Sequence, residues 1–453
     1  YIDDVILYDK NDLEKTLQNI KDKKFDASIS CFIDTTLGKM LFKSRIKKRV
    51  APATKILSSK NWAPHTHQAL NAVISSYGNQ SSSFDPAAPP YVVFDFDNTS
   101  AIMDIEDTLM LYMLLHLDYR LTPDQFHAIL TDGLENVGAT VDTLLDKTNP
   151  LATIGNIADD IKVAYAWLYK QYEGFMQGGT LSLEEAKKSS YYEEFAAKIR
   201  LFYTVINGDF KRKAGYPWMT YLFAQRSSEE LRQLAYQSIS YWLQYGKFER
   251  VTLTSPADLT SKAGVIVSHY DTGLAFPNEL KELYHVLQAN GIVVYVISAS
   301  PVDVVQVAAT HPDFGYGLDN EHVIGMYYNK DENGLIQPSM QPGKNITKGP
   351  GKTAVITEQL MPKHNEKQPL MLFGDSTGDY DMMMELKDTK LCVLFNRYMN
   401  DDTQKLAREA FRTIEDENPR IVLQGRDENK GSLRPSEKTI LLGTQEEVLI
   451  HEA

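Results

Sequence analysis

Three short apolar runs in this chain end abruptly in polar residues that can do chemistry. Tyr91-Val92-Val93-Phe94 gives way to Asp95-Phe96-Asp97-Asn98-Thr99, and Ile292 to Ile297 gives way to Ser298-Ala299-Ser300. Pro369 to Phe373 gives way to Gly374-Asp375-Ser376-Thr377-Gly378-Asp379. If these ends share one cleft, Asp95, Asp97, Asp375 and Asp379 face one another and repel strongly unless a cation is present. Oxygen-only donors favour a hard ion such as Mg²⁺. Lys352, expected to open a helix between the second and last runs, would offset the charge of a bound phosphate. N-capping of a following helix accounts for Asp375 alone. It does not account for Asp95 and Asp97 alternating directly after a buried strand.

For those residues to meet, the runs must be neighbouring strands. Their continuous apolar character is that of strands covered on both faces, as in a parallel sheet. A helix from Asn278 to Ala289, closed at Gly291, leads into the second run, and Leu391-Cys392-Val393-Leu394-Phe395 adds another strand after a helix. Strands separated by helices predict an α/β fold with a doubly wound, Rossmann-like parallel sheet that binds ligands at the carboxyl ends of its strands. A helix over 66–76 and a Ser/Pro/Ala linker, Ser81 to Pro90, precede the first run. Residues 105–250 change character. Capping signals recur at Thr122-Pro123-Asp124-Gln125, Ser182-Leu183-Glu184-Glu185 and Ser227-Ser228-Glu229-Glu230, each before helical spacing,. The expected division is an N-terminal segment of no readable role (1–55), an α/β core (56–110 and 265–453), and a helical cap (111–264).

Gly349-Pro350-Gly351-Lys352-Thr353 looks like the end of a phosphate-binding P-loop. That motif requires glycine at position 346, where Ile346 stands, and no strand leads into it,.

The order of Asp95/Asp97, Ser298, Lys352 and Asp375/Asp379 resembles the haloacid dehalogenase superfamily of phosphatases. The resemblance implies that Asp95 is the nucleophile that forms an aspartyl-phosphate, and that Asp97 protonates the leaving alcohol and later activates water. Ser298 and the backbone N–H of Ala299 would bind phosphoryl oxygens, and Lys352 would neutralise charge in transfer. Asp95, the backbone carbonyl of Asp97, and Asp375 would hold Mg²⁺, with Asp379 behind them. Thr99 would order the nucleophile loop. The helical insertion matches a C1-type cap in size and position.

The string Asp95-Phe-Asp-Asn-Thr-Ser-Ala-Ile-Met-Asp-Ile-Glu106 is similar to the phosphorylcholine phosphatase group. So are Asn61-Trp62, Gly215-Tyr216-Pro217-Trp218, Val296 to Ser300, Gly349 to Lys352, and Gln424-Gly425-Arg426-Asp427-Glu428. The likeness covers roughly residues 60–445 and leaves 1–55 outside it. It implies a small cationic phosphate ester as substrate, with Asp104 and Glu106 as candidate ammonium partners. A quaternary ammonium is held by aromatic faces and carboxylates, and Tyr216 and Trp218, in a Gly/Pro-marked turn, are the first candidates for such faces. Most other cap aromatics are expected to pack helices. Asp104 has an alternative role at the start of a helix. Phosphoserine, phosphoethanolamine or a sugar phosphate are alternative substrates, and a non-catalytic ligand-binding protein is the alternative class.

Composition narrows the field further. The 453 residues carry 47 Lys and Arg against 60 Asp and Glu, a net charge of −13, which disfavours nucleic acid as a partner,. Hydrophobic residues at 43% suffice for a buried core, and no apolar run is long enough to span a bilayer,. Two cysteines, Cys31 and Cys392, cannot build a disulfide framework or a cysteine zinc site,. The chain starts at Tyr1, as expected of a processed or trimmed chain, and by its resemblance it is expected to be exported.

Overall fold

The computed structural model describes residues 54–450 except 135–136, 143–148 and 209–215, with backbone alone over 206–208 and 216–219. All but the last two residues of the expected N-terminal segment, 1–55, lie outside the described residues. Residues 54–453 form one compact unit.

The centre of that unit is a six-stranded sheet. In chain order its strands are β1 (Tyr91–Phe94), β4 (Val293–Pro301), β5 (Val323–Met326), β8 (Met371–Gly374), β9 (Leu391–Phe395) and β10 (Ile421–Gln424). In space they run β10-β9-β8-β1-β4-β5, and every neighbouring pair is parallel. The chain builds outward from β1 through β4 to β5. It then crosses back to β8 on the other side of β1 and continues to β10. The reversal beside β1 opens a crevice at the strands' carboxyl ends, where such sheets bind ligands.

Successive residues of β1 serve opposite faces, as the pleat requires. Val92 and Phe94 belong to one core layer and Tyr91 and Val93 to the other. The first layer is covered by α1 (Pro64–Tyr77), α8 (Asn278–Ala289) and α9 (Val302–Thr310). The second is covered by α10 (Pro350–Val355), α11 (Thr377–Glu385) and α12 (Thr403–Arg412). Phe94 and Phe373 stack across β1 and β8 with centroids 3.8 Å apart. Each such fully buried side chain contributes about 1.5–3 kcal/mol.

Between β1 and β4 the chain forms α2 (Ile105–His116), α3 (Pro123–Thr131), α4 (Ile154–Gln171), α5 (Leu183–Lys187), α6 (Ser190–Gly208) and α7 (Ser228–Tyr245). Thr122, Ser182 and Ser227 each close a reciprocal capping box with Gln125, Glu185 and Glu230, so these starts follow from local sequence,. The insertion also holds an antiparallel hairpin, β2 (Arg250–Thr254) with β3 (Val267–Asp271). A buried Lys198, paired with Asp160 at 2.7 Å and with Glu194, joins α4 to α6. Most insertion aromatics pack helices as expected: Trp167 stacks on Tyr191, and Trp242 Nε1 donates to the Thr108 carbonyl at 2.7 Å.

After β10 the chain makes a small sheet of β11 (Arg426–Asp427), β12 (Ser432–Leu433), β13 (Thr439–Ile440) and β14 (Glu447–Val448). Its first strand lies at the crevice. No described helix is long and apolar enough to cross a membrane.

Candidate active site

The crevice gathers the strand-end residues. Asp95 prolongs β1 by one hydrogen bond, its N–H donating to the Phe373 carbonyl at 2.9 Å. Its side chain, 6% exposed, meets Lys352 Nζ at 2.5 Å through Oδ1. The same ammonium lies 2.6 Å from Asp379 Oδ1. Lys352 sits in the first turn of α10, and two glycines place it there. Gly349 has φ +55°, and a Cβ on Gly351 would lie 1.8 Å from the Ile346 carbonyl oxygen. Thr347 Oγ1 ties the same loop to the Ser298 carbonyl at 2.5 Å.

Asp375 and Asp379 come from the turn between β8 and α11. Asp379 is the third residue of that helix and closes a capping box with Ser376. Its Oδ2 also accepts from the Asp375 N–H at 3.1 Å. Only glycine fits at 374, where a Cβ would come within 2.5 Å of the Asp379 side chain. Asp375 accepts from Thr99 Oγ1 at 3.0 Å and from Arg397 Nη1 at 2.8 Å. Thr99 Oγ1 also lies 3.3 Å from Asp95 Oδ2, so its hydroxyl bridges two of the acids.

Asp97 is held on the opposite wall. Its Oδ1 accepts from the Ile105 N–H at 2.7 Å, while Oδ2 accepts from Ser300 Oγ at 2.6 Å and Ser298 Oγ at 3.3 Å. Between Asp97 and α2 the backbone turns sharply. Asn98 and Met103 both have positive φ, +60° and +71°, and the Asn98 N–H donates to the Met103 carbonyl at 3.1 Å. Asn98 is also gripped by Arg426, which donates to its carbonyl and its Oδ1, both at 3.0 Å.

Burial pushes the Asp95 carboxyl well above the usual range; Lys352 opposes this, and Asp379, Asp375 and Asp97 add to it,. Burial likewise raises Asp379, against the pull of Lys352. It raises Asp97 against the hydrogen bonds from Ser300, Ile105 and Ser298. For Lys352, burial alone would lower the pKa, but Asp379 and Asp95 outweigh it and hold the ammonium above its ordinary value. Among the described residues, carboxylate oxygens of Asp95, Asp375 and Asp379 lie within 4.8 Å of one another, all buried. That oxygen-only donor set, with negative charge exceeding the single lysine between its members, fits a hard divalent cation.

No protein-family model matches the chain. Over 276 residues, or 61% of its length, it is 23% identical to phosphorylcholine phosphatase of Pseudomonas aeruginosa. That match takes in 56% of the relative, so the chain spans about half the length of this curated protein. A 59-residue stretch is 48% identical to a Haemophilus influenzae protein provisionally named a glycosyltransferase, over 17% of that protein. Among solved structures, a conserved protein of unknown function from Anaerococcus prevotii superposes with a TM-score of 0.77 at 29% identity. The match covers 85% of this chain and 98% of that one. The parallel strand order and the four motifs gathered in one crevice agree with the resemblance to haloacid dehalogenase phosphatases, and the likeness to phosphorylcholine phosphatase points the same way.

In this cleft the structure brings together Asp95, Asp97, Ser298, Lys352, Asp375, Asp379 and Thr99. Ala299 lies between Ser298 and Ser300 on the same β4 end. Asp104 has a committed oxygen: its Oδ1 caps α2, accepting from the Glu106 N–H at 2.8 Å and the Asp107 N–H at 2.9 Å. Glu106, 7% exposed, has an Oε2 with no hydrogen-bond partner among the described residues. Burial, then Asp104 and Asp97, drive its carboxyl well above the ordinary range. The side chains of Tyr216 and Trp218 lie outside the described residues. Sequence reading passed over Ser300, Thr347, Arg397 and Arg426 as site residues. Arg397 lies just past the carboxyl end of β9, and only the fold brings its partner Asp375 to it.

Proposed function

We propose that this chain is a Mg²⁺-dependent phosphomonoester hydrolase that works through an aspartyl-phosphate on Asp95. Its substrate in this reading is a small cationic phosphate ester such as phosphorylcholine. The observation that carries the reading is the buried Asp95–Lys352–Asp379 contact with Asp375 beside it and Asp97 suspended opposite on two serines.

Asp95, Asp375 and Asp379 supply side-chain oxygens that would hold the cation, and a cation there would offset negative charge on the phosphoryl group and on the carboxylates. An Asp95 carboxylate oxygen attacks phosphorus while the bond to the leaving oxygen breaks. Asp97 gives its proton to that oxygen, releasing the alcohol. As a carboxylate it then takes a proton from a water that attacks phosphorus, which frees Asp95 and inorganic phosphate. Its raised pKa favours the protonated form needed for the first step. Lys352 and Ser298 hold the transferring group, and the segment 111–264 acts as a cap that excludes bulk water. Glu106, buried with an unpartnered oxygen near Asp104, supports a cationic leaving group, and the Pseudomonas relative is named for one.

Purified chain should hydrolyse p-nitrophenyl phosphate with Mg²⁺, and phosphorylcholine faster than phosphoserine. Asp95→Asn should abolish turnover while leaving thermal unfolding cooperative. Full activity in that variant would sink the mechanism, and a preference for phosphoserine would sink the choline reading.

A further inference from the structure

Asp95 and Asp97 are anchored by different means. Asp95 is held by the sheet itself, through its N–H to Phe373. Asp97 lies beyond the last β1 residue, in a turn whose corner is Asn98 at φ +60°. A non-glycine residue keeps that conformation only when its surroundings enforce it, although asparagine tolerates it better than most. The enforcing group here is Arg426, 1% exposed, which belongs to the Gln424-Gly425-Arg426-Asp427-Glu428 segment that the proposed chemistry leaves without a role.

One face of the Arg426 guanidinium fork spans Asn98: Nη1 meets the carbonyl oxygen and Nη2 meets Oδ1, each at 3.0 Å. A planar fork presents two donors from two nitrogens in a fixed geometry, whereas an ammonium directs its donors from one rotating nitrogen. Arg426 is itself immobilised. Its Nη2 pairs with Glu428 Oε1 at 2.6 Å, Glu428 Oε2 accepts from the Leu442 N–H at 2.9 Å, and the Arg426 carbonyl accepts from Thr439 Oγ1 at 2.7 Å. The clamp therefore passes from the small C-terminal sheet, across 328 positions of sequence, to the residue after Asp97.

We propose that Arg426 is a positioning residue for the proton donor: by fixing the Asn98 corner it aims Asp97, while leaving the nucleophile to the sheet. This rests on the phosphatase reading above. It makes a distinction that a purely structural arginine would not make. Loss of the clamp should weaken proton donation and spare attack, so the damage should depend on the leaving group.

The test compares kcat/KM for p-nitrophenyl phosphate, whose leaving group needs little protonation, with phenyl phosphate, whose leaving group needs more. Arg426→Met should cost about 100-fold on phenyl phosphate, within the range of a general acid, and less than about 5-fold on p-nitrophenyl phosphate. Asn98→Ala should show the same selectivity, and the double variant should be no worse than Arg426→Met alone. Arg426→Lys, which keeps the charge but not the fixed two-nitrogen geometry of the fork, should fall between, and it carries the test if the Met variant does not fold. Equal losses on the two esters, or losses of the two single variants that multiply, would overturn the inference while leaving the phosphatase reading in place. A wild-type chain inactive on both esters with Mg²⁺ would overturn both.

Discussion

Replacing Lys352 by methionine should do more than remove a catalytic group. In the folded chain Lys352 pairs with Asp95 and Asp379 at once, and Arg397 pairs with Asp375. Breaking a buried ion pair from one side costs about 3–5 kcal/mol, because the remaining charge stays buried and uncompensated. Protonation is the available escape, and Asp95 and Asp379 are already displaced upward by burial. Without the lysine they would rise further. The folded variant then binds more protons than the unfolded chain, so its stability must fall as pH rises. The loss should approach about 3–5 kcal/mol at pH 8 and shrink toward about pH 4, where the unfolded chain's carboxylates also take up protons. Urea unfolding in excess EDTA at several pH values measures this, the chelator keeping any cation from masking it. Adding Mg²⁺ should restore part of the midpoint, since a ligand of the folded state stabilises it by mass action. Lys352→Met/Asp379→Asn should be less destabilised than the sum of the single changes. A midpoint that is unchanged in Lys352→Met, or lowered equally at every pH, would refute the electrostatic account of this site.

Other consequences can be checked more briefly. Gly351→Ala should lower stability by about 1–3 kcal/mol and reduce turnover together, because its Cβ would meet the Ile346 carbonyl beside Lys352,. Gly138→Ala, with nothing within 4 Å, should be within about 0.5 kcal/mol of wild type in the same unfolding assay,. Burial raises the Cys392 thiol to about 11, so position-resolved mass spectrometry should find it unalkylated by iodoacetamide at pH 8 unless the chain is unfolded,. A folded thiol pKa above the unfolded one means that this contribution to stability is complete below about 9 and is lost as pH rises through about 11,. Removing divalent cations with EDTA should stop hydrolysis of p-nitrophenyl phosphate, and Mg²⁺ should restore it.

What the sequence revealed was local. The strands around Phe94 and Phe373 are short apolar runs that stop at acids, and Thr122, Ser182 and Ser227 announce helix starts by chemistry confined to four residues each. Asp95 and Asp375 were visible because a strand end is a place that topology makes common to several segments. Asp104 shows the limit of offset reasoning: its position suited a substrate contact, yet one of its oxygens is spent capping α2. Hairpin β2/β3 gave no clear signal, because its alternation runs for only five residues per strand. Arg397 and Arg426 were opaque for a different reason. An arginine in sequence does not say whether it faces water, and their partners, Asp375 and Asn98, are known only once β8, β9 and the small sheet are in place.

The clamp on Asn98 also orders events in time. Residues up to about 425 can complete the six-stranded sheet, and with it the nucleophile's anchor to β8. Meanwhile α1 waits for β10, since Ala63 N–H and Thr66 Oγ1 donate to Gln424 Oε1 and the Leu423 carbonyl. The loop that carries Asp97 is pinned only when Arg426, Glu428, Thr439 and Leu442 have joined. During synthesis Asp95 is therefore anchored before the loop that carries Asp97, whose own anchor lies further along the chain.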